Sequence, residues 1–193
     1  MEYDLAIEDA PGSVPGGTGI LLVHPSTGET DRIDTDFLKT DTDYRLVVST
    51  RTTAREVQQK LEYYGVDAGN THILDTLSVE RGYSRRSSED VHYVASPDDL
   101  EGIVAIVEEF LADHDGKLRV SVDSITEMAY YADEDRARDA VDRILELLDE
   151  HDAIGLFHVA EEVHDEEILA GYRDRFEGVI TLTEDGHVDA AFD

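Results

Sequence analysis

The sequence predicts a single α/β domain of three layers, in which a mainly parallel β-sheet carries helices on both faces. Two observations support this prediction. Segments typical of strands alternate along the chain with segments typical of helices, and most of the strand segments are unbroken apolar runs. Unbroken runs are typical of parallel strands buried on both faces, and the alternation is typical of a sheet covered on both sides. Because 193 residues suit one such domain, we expect residues 1–193 to form it without an internal boundary.

The predicted strands follow one another at regular intervals. The first, at residues 19–23, comes after a stretch rich in proline and glycine and before a loop at residues 24–28. Further strands are predicted at residues 45–49, 71–74, 92–95, 118–122, 153–159 and 178–182. A Glu-Asp-Gly turn at residues 184–186 then predicts a hairpin that leads to a last edge strand at residues 187–191.

Helices are predicted between these strands from their start signals and their apolar stripes. Thr53 and Glu56 have the spacing of a capping box, and Gly65 gives the stop of the same helix. Pro97 predicts the opening of the next helix, because proline is tolerated at the first helical position. Apolar stripes predict two more helices, at residues 136–150 and 165–175.

The charge of the chain is strongly negative. It contains 46 acidic residues and 16 basic residues, for a formal net charge of −30. Such self-repulsion is tolerable where concentrated salt screens it, so we interpret the composition as adaptation to high internal salt. The alternative, a mimic of nucleic acid, fits less well because the acids are spread along the whole chain. Direct nucleic-acid binding is not expected, since that affinity comes from Lys and Arg that displace counterions.

The composition also limits the cellular location and the types of reactive group that we expect. Cysteine is absent, which excludes disulfides, a thiolate nucleophile and cysteine-ligated zinc. No run approaches the roughly 20 apolar residues needed to span a membrane, and residues 1–5 lack the basic and apolar segments of a signal peptide. We therefore expect a cytoplasmic protein that makes no contact with a membrane.

Three stretches carry a resemblance to a known superfamily. Residues 14–19 read Val-Pro-Gly-Gly-Thr-Gly, residues 122–126 read Val-Asp-Ser-Ile-Thr, and residues 176–182 read Phe-Glu-Gly-Val-Ile-Thr-Leu. In this order they resemble the lead-in to the first strand, the Walker B strand and the closing strand of the RecA/KaiC-like P-loop ATPases, and more closely the uncharacterised haloarchaeal branches of that superfamily. The resemblance covers residues 14–182 and implies the RecA-like P-loop NTPase plan, with ATP and Mg²⁺ as ligands.

The phosphate loop that the resemblance places at residues 23–30 is degenerate. A working loop reads G-x-x-x-x-G-K-[ST], in which backbone N–H groups and the Lys bind phosphate and the hydroxyl holds Mg²⁺. The second Gly and the hydroxyl residue survive as Gly28 and Thr30, but Val23 replaces the first Gly and Glu29 replaces the Lys. Because a carboxylate repels phosphate where an ammonium attracts it, we expect tight phosphate binding to be lost.

The resemblance also implies an acidic residue after the second strand, which orients the attacking water. Arg51 stands in that position, and Asp123 alone keeps its type, as the carboxylate on the Mg²⁺ side. Phosphoryl transfer needs positioned positive charge and an oriented nucleophile, so we predict no catalytic residues and no ordinary ATP hydrolysis. Gly28, Thr30 and Asp123 remain the candidate cofactor-binding residues of a degenerate nucleotide site. The alternative role for Asp123 is to cap the backbone amides of residues 125–126.

Three arginines are candidate anion contacts, namely Arg51, Arg85 and Arg86. Their guanidinium groups suit phosphate or carboxylate, and the last two belong to a basic, serine-rich loop at residues 81–88 to which we assign no role. The alternative, which we favour, is that these arginines form salt bridges with neighbouring acids. Residues 158–164 contain two histidines and two glutamates, but their spacing matches no ligand motif, so no metal site is predicted.

Two pairs of adjacent tyrosines near helix ends suggest contacts with other proteins. In the pairs Tyr63-Tyr64 and Tyr130-Tyr131, adjacent residues point to different faces, so we expect one of each pair to be buried and the other exposed. An exposed tyrosine suits an interface with a partner protein or with a second copy of the chain.

These predictions together favour a non-catalytic RecA/KaiC-like domain, a pseudo-ATPase, with a regulatory, signalling or protein-interaction role. Two alternatives stay open. One is a nucleotide-binding ATPase with residual hydrolysis at a non-standard phosphate site. The other is an assembly subunit that pairs with an intact homologous ATPase.

Overall fold

The computed structural model of the protein describes residues 1–83 and 88–193. The strands are β1 Glu2–Asp4, β2 Ser13–Pro15, β3 Gly19–His24, β4 Tyr44–Ser49, β5 Thr71–Asp75, β6 Val91–Tyr93, β7 Leu118–Asp123, β8 Ile154–Ala160, β9 Gly178–Leu182 and β10 Val188–Phe192. The α-helices are α1 Asp31–Lys39, α2 Ala54–Tyr63, α3 Leu100–Asp113, α4 Ile125–Tyr131, α5 Glu134–Glu150 and α6 Glu166–Arg173.

Eight of these strands form one sheet, in the order β10-β9-β3-β8-β7-β4-β5-β6. Every neighbouring pair is parallel except β10, which runs antiparallel to β9. The predicted mainly parallel sheet and its antiparallel edge hairpin are therefore confirmed. The remaining strands, β1 and β2, pair with each other in a small antiparallel hairpin that the sequence did not predict.

Two apolar cores lie on opposite faces of the sheet. Strand β3 shows why both exist: Leu21 and Val23 belong to the core beneath α3, α4, α5 and α6, whereas Ile20 and Leu22 belong to the core beneath α1 and α2. All positions of β3 and β8 are buried, because side chains that alternate in direction meet a helical layer on either side. The three-layer α/β prediction is confirmed.

The helices are amphipathic rather than apolar all round. In α5, Ala137, Val141, Ile144 and Leu148 are buried on one stripe. The helix begins where the Asp133 side chain accepts a hydrogen bond from the Arg136 amide at 2.8 Å. Across the described parts of the chain, no helix is long and apolar enough to cross a membrane.

Helix starts agree with the sequence in one case and disagree in another. The capping box of α2 is confirmed, since the Thr53 amide donates to the Glu56 carboxylate at 2.7 Å. The prediction that Pro97 opens a helix is wrong, because α3 begins only at Leu100. The Asp99 side chain accepts a hydrogen bond from the Gly102 amide at 3.0 Å, and this N-cap places Pro97 in the preceding turn.

Candidate functional site

The candidate site lies at the carboxyl ends of the central parallel strands. Because β3, β8, β7 and β4 are adjacent and parallel, the segments that follow them meet at one edge of the sheet. Ligands of open α/β sheets bind at this edge. The predicted degenerate phosphate loop, residues 23–30, covers the end of β3 and the segment that leads into α1.

The degenerate loop is closed by contacts within the chain. The Gly28 amide donates a hydrogen bond to the Pro25 carbonyl at 2.8 Å, which folds the loop into a tight turn. The Ser26 amide donates to the Glu162 carboxylate at 2.8 Å, and the Ser26 hydroxyl donates to the same oxygen. Hydrogen bonding from Ser26 lowers the pKa of Glu162. A carboxylate of the chain therefore takes a backbone amide of the kind that a working loop offers to phosphate.

Gly28 and Thr30, which match the loop pattern, both lie just before α1. Thr30 is buried and lies at the N-cap of α1, although its side chain makes no cap hydrogen bond. Glu29, at the position of the phosphate-binding Lys, is exposed. Gly28, Thr30 and Arg51 line the cleft described below, whereas Asp123 is not among its lining residues.

Asp123 and Arg51 form a two-pronged ion pair. The Arg51 Nε lies 2.8 Å from Asp123 Oδ1, and Arg51 Nη2 donates to Asp123 Oδ2 at 3.0 Å. Burial would raise the pKa of Asp123, but His158 and Arg51 together hold it below the usual value. The expected alternative, in which Asp123 caps the next helix, is wrong, because the side chain that accepts the α4 cap hydrogen bond belongs to Ser124. The peptide bond between Asp123 and Ser124 is cis.

Beneath this ion pair lies a buried charged network that the sequence did not reveal. Asp34 of α1 is 1% exposed, and its carboxylate receives Lys60 Nζ at 2.9 Å and His158 Nε2 at 3.0 Å. The Ser121 hydroxyl donates to the same carboxylate at 2.5 Å. Burial would raise the pKa of Asp34, but Lys60 and His158 hold it far below its usual range. Each charged group is thus paired as a buried charge requires.

Two histidines join the network to the end of β3. His158 is fully buried, and its Nδ1 lies 4.0 Å from Asp123 Oδ1. The ring of His24 lies edge-on to the ring of His158, with centroids 5.6 Å apart, and its Nδ1 contacts the Pro25 carbonyl at 2.7 Å. Burial lowers the pKa of His24. Within the residues that the structure describes, His24 Nε2 and His158 Nδ1 have no hydrogen-bond partner.

The protonation of His158 predicts a dependence of stability on pH. Burial would lower its pKa, but the carboxylates of Asp123 and Asp34 more than offset this, so the pKa of His158 is raised above 6.5. Its stabilising contribution is complete below pH 6.5 and is lost as pH rises through the raised pKa. We expect the free energy of unfolding in urea to fall as the pH rises from 6.5 through the raised pKa, by about 1.4 kcal/mol per unit of elevation.

The control for this prediction is the variant His158→Gln, in which the fall should disappear. His24 does not confuse the test, because its pKa is lowered and its contribution changes only below pH 6.5. A wild-type free energy of unfolding that is flat across this range, or a fall that persists in His158→Gln, would show that the imidazole is not charged in the folded protein.

A large cleft opens beside the degenerate loop. It has a volume of about 1380 Å³ and is bounded by the loop, the start of α1, the N-terminal segment and the turn between β9 and β10. Its charged lining residues are Glu8, Glu29, Asp31, Asp36, Glu184 and Asp185 on the acidic side and Arg32 and Arg51 on the basic side. Because the acids outnumber the arginines, the electrostatic potential in the cleft is negative.

Of the three arginines predicted as anion contacts, only Arg51 belongs to the part of the chain that the structure describes. Arg51 is committed to Asp123, as the salt-bridge alternative predicts. Arg81 lines a separate cleft of about 810 Å³ near the start of α2. Arg85 and Arg86 lie outside the described residues, so their predicted anion contacts stay predictions.

Residues 158–164, at the end of β8 and in the segment after it, contribute to three different contacts rather than to one cluster. His158 joins the buried network, Glu162 contacts the degenerate loop, and His164 contacts Thr126 Oγ1 at 2.9 Å and Glu134 at 2.7 Å. Among the side chains that the structure describes, no group of three or more His, Asp or Glu residues is arranged to hold a metal ion.

One tyrosine of each adjacent pair is exposed, as predicted. Tyr63 is 83% exposed and Tyr130 is 79% exposed. Their neighbours Tyr64 and Tyr131 are only partly buried, so the expectation that one of each pair belongs to the core is wrong. In each pair the two rings pack edge to face, at centroid distances of 5.0 Å and 5.2 Å.

Solved structures of archaeal proteins share this architecture. A KaiC-like protein of Pyrococcus horikoshii, PH0186, is similar with a TM-score of 0.60 and 16% identity, over 97% of this chain and 83% of that one. An uncharacterized protein of the same organism, PH0321, solved in complex with an unknown peptide, is similar with a TM-score of 0.63 and 15% identity, over 93% and 84%. PH0250, also from that organism, is similar with a TM-score of 0.63 and 13% identity, over 92% and 87%. These likenesses confirm the KaiC-like fold, while the haloarchaeal branch stays a prediction.

Sequence comparisons give a family but no characterised relative. The model of a family described as "Family of unknown function (DUF7090)" matches residues 1–192. No curated protein matches the sequence.

Proposed function

Because the chain belongs to the family of unknown function DUF7090, we propose its function from the site itself: a RecA/KaiC-like domain that does not hydrolyse ATP and acts through contacts with other proteins, in regulation or signalling. The observation that carries this proposal is the pair of internal contacts at the degenerate site. Arg51 forms an ion pair with the Asp123 carboxylate, and the Ser26 amide donates a hydrogen bond to Glu162.

These two contacts engage the groups that a Mg²⁺–nucleotide complex would need, namely the Asp123 carboxylate and a loop amide. In a working site the carboxylate at the end of the Walker B strand faces the metal, and the loop amides face phosphate. Here a guanidinium provides positive charge at Asp123, and a carboxylate provides negative charge at the loop. Binding Mg–ATP would require both contacts to break, and Glu29 would then oppose the phosphates.

The proposed interaction role is supported by the surface around this site. The acidic cleft beside the loop suits a basic segment of a partner protein better than a nucleotide. The similar protein PH0321 was solved with a peptide bound. The exposed rings of Tyr63 and Tyr130 offer the type of side chain that is enriched at protein interfaces, whether the partner is another protein or a second copy of the chain.

One observation favours a second candidate function, residual nucleotide binding. Asp123 lies at the end of β7 and pairs with Arg51, and Arg51 lines one cleft together with Gly28 and Thr30. In that case Arg51 would turn from Asp123 towards a phosphate, and Mg²⁺ would take its place on the carboxylate. ATP with Mg²⁺ is the cofactor that this candidate requires, whereas the first requires none.

Calorimetric titration of ATP and ADP with Mg²⁺, in molar KCl, distinguishes the two candidates. We expect no heat above background at concentrations that would reveal a dissociation constant of about 1 mM. Saturable binding that is lost in Asp123→Asn would favour the second candidate over the first and make hydrolysis the next assay. The matched control is Asp142→Asn, at a carboxylate of α5 that pairs with Arg175 at 2.7 Å, away from the loop.

A further inference from the structure

Three histidines gather at the β6 edge of the sheet, away from the degenerate site. His72 lies on β5, His92 lies on the outermost strand β6, and His114 follows the end of α3. In the parallel pairing of the two strands, His92 lies opposite Leu74, so His72 and His92 project from the same face of the sheet. The ring centroids of His72 and His92 are 5.7 Å apart, and those of His72 and His114 are 4.7 Å apart.

The facing nitrogens of His72 and His92 have the spacing of two ligands on one metal ion. His72 Nδ1 lies 3.4 Å from His92 Nε2, and the two rings are inclined by only 20°. The contact is a long hydrogen bond between the two rings, and the tautomers decide which nitrogen donates. Two imidazole nitrogens at about 2.0–2.1 Å from a tetrahedral zinc ion are separated by about 3.4 Å.

The surroundings hold these rings in place. His114 Nδ1 donates to the Phe110 carbonyl at 2.8 Å, and its ring packs on Tyr44 and Phe110 at centroid distances of 4.5 Å and 4.9 Å. The ring of His72 packs on Phe110 at 5.4 Å and edge-on to His114. Because His72 and His92 both remain partly exposed, water can complete the coordination of an ion bound between them.

We propose that His72 and His92 form a binding site for a divalent transition-metal ion of the zinc class. Imidazole nitrogen selects such ions over Mg²⁺ and Ca²⁺, which prefer oxygen ligands. The bound ion ties the short edge strand β6 to β5.

Calorimetric titration of Zn²⁺ into the full chain tests the proposal. The protein is kept in molar KCl with excess Mg²⁺, so that carboxylate sites are already occupied and only nitrogen sites respond to Zn²⁺. We expect one zinc ion per chain, bound at least about 10-fold more weakly in His72→Gln and in His92→Gln, since even second-shell changes cost 10-fold or more. Circular dichroism establishes that each variant is folded, and either one suffices if the other is not.

His187→Gln is the matched control, because His187 is exposed in the turn between β9 and β10 and belongs to no histidine cluster. It should bind zinc as the wild type does. Absence of zinc binding by the wild type, or the same affinity in the wild type and both cluster variants, would overturn the proposal. Loss of affinity in His187→Gln alone would place the zinc elsewhere and overturn it equally.

Discussion

Replacing Asp34 with asparagine is expected to lower the free energy of unfolding by about 3–5 kcal/mol. The substitution keeps the shape of the side chain but removes its charge, and it leaves Lys60 and His158 without their shared carboxylate. His158 is fully buried and Lys60 is mostly buried, with 19% of its side chain exposed, so an unpaired charge at either position is more costly than at the surface. The measurement is equilibrium unfolding in urea, in molar KCl, followed by circular dichroism.

Asp36→Asn is the control, because it makes the same chemical change two residues further along α1. Asp36 pairs with Lys39 at 2.9 Å on a partly exposed face, and such pairs contribute about 0–1 kcal/mol. A second test is Asp34→Asn combined with Lys60→Met, which should recover part of the loss because no unpaired Lys60 charge remains. If Asp34→Asn costs no more than Asp36→Asn, the network does not stabilise the fold.

The strands of the eight-stranded sheet could be predicted from the sequence, whereas β1, β2 and α1 could not. Strands such as residues 19–23 and 178–182 are apolar runs bounded by glycine, and the structure extends them by no more than one residue. Helix α1 reads DRIDTDFLK, and its apolar residues are only Ile33, Phe37 and Leu38. Asp34 occupies a buried position that helical patterns normally assign to an apolar side chain. The residue that hides the helix from the pattern is therefore the one that anchors the buried network.

The same distinction applies to the site. The resemblance places Glu29 where the loop Lys would stand and Arg51 where the acid would stand, so both expectations could be made from the sequence. The replacements for the missing ligands depend on contacts between distant residues. Ser26 and Glu162 are 136 residues apart, and Asp34 and His158 are 124 residues apart. One signal could have suggested the buried network: His158 and Asp123 lie on neighbouring strands of the sheet, and a buried charged side chain needs a partner.

Removal of salt is expected to have the largest effect of all, loss of the folded state. With 46 acidic residues against 16 basic ones, most carboxylates have no cationic partner, and folding brings them together. The screening length is about 3 Å at 1 M salt and about 30 Å at 0.01 M, so at low salt each charge is repelled by many others. We expect the far-UV circular dichroism signal to be retained in multimolar KCl and to be lost in low-millimolar KCl.

This prediction separates the two kinds of charge in the molecule. The pairs that Asp34 forms with Lys60 and His158 lie at a buried carboxylate, so salt screens them little, and they should keep stabilising the fold at any salt concentration. The unfolding at low salt must then come from the exposed acids. If it does, Asp34→Asn should lower the unfolding free energy in urea by a similar amount at two KCl concentrations that both support folding. A far-UV signal that stays unchanged from multimolar to low-millimolar KCl would instead mean that the fold tolerates its net charge without salt, and that the acidic composition is no adaptation to it.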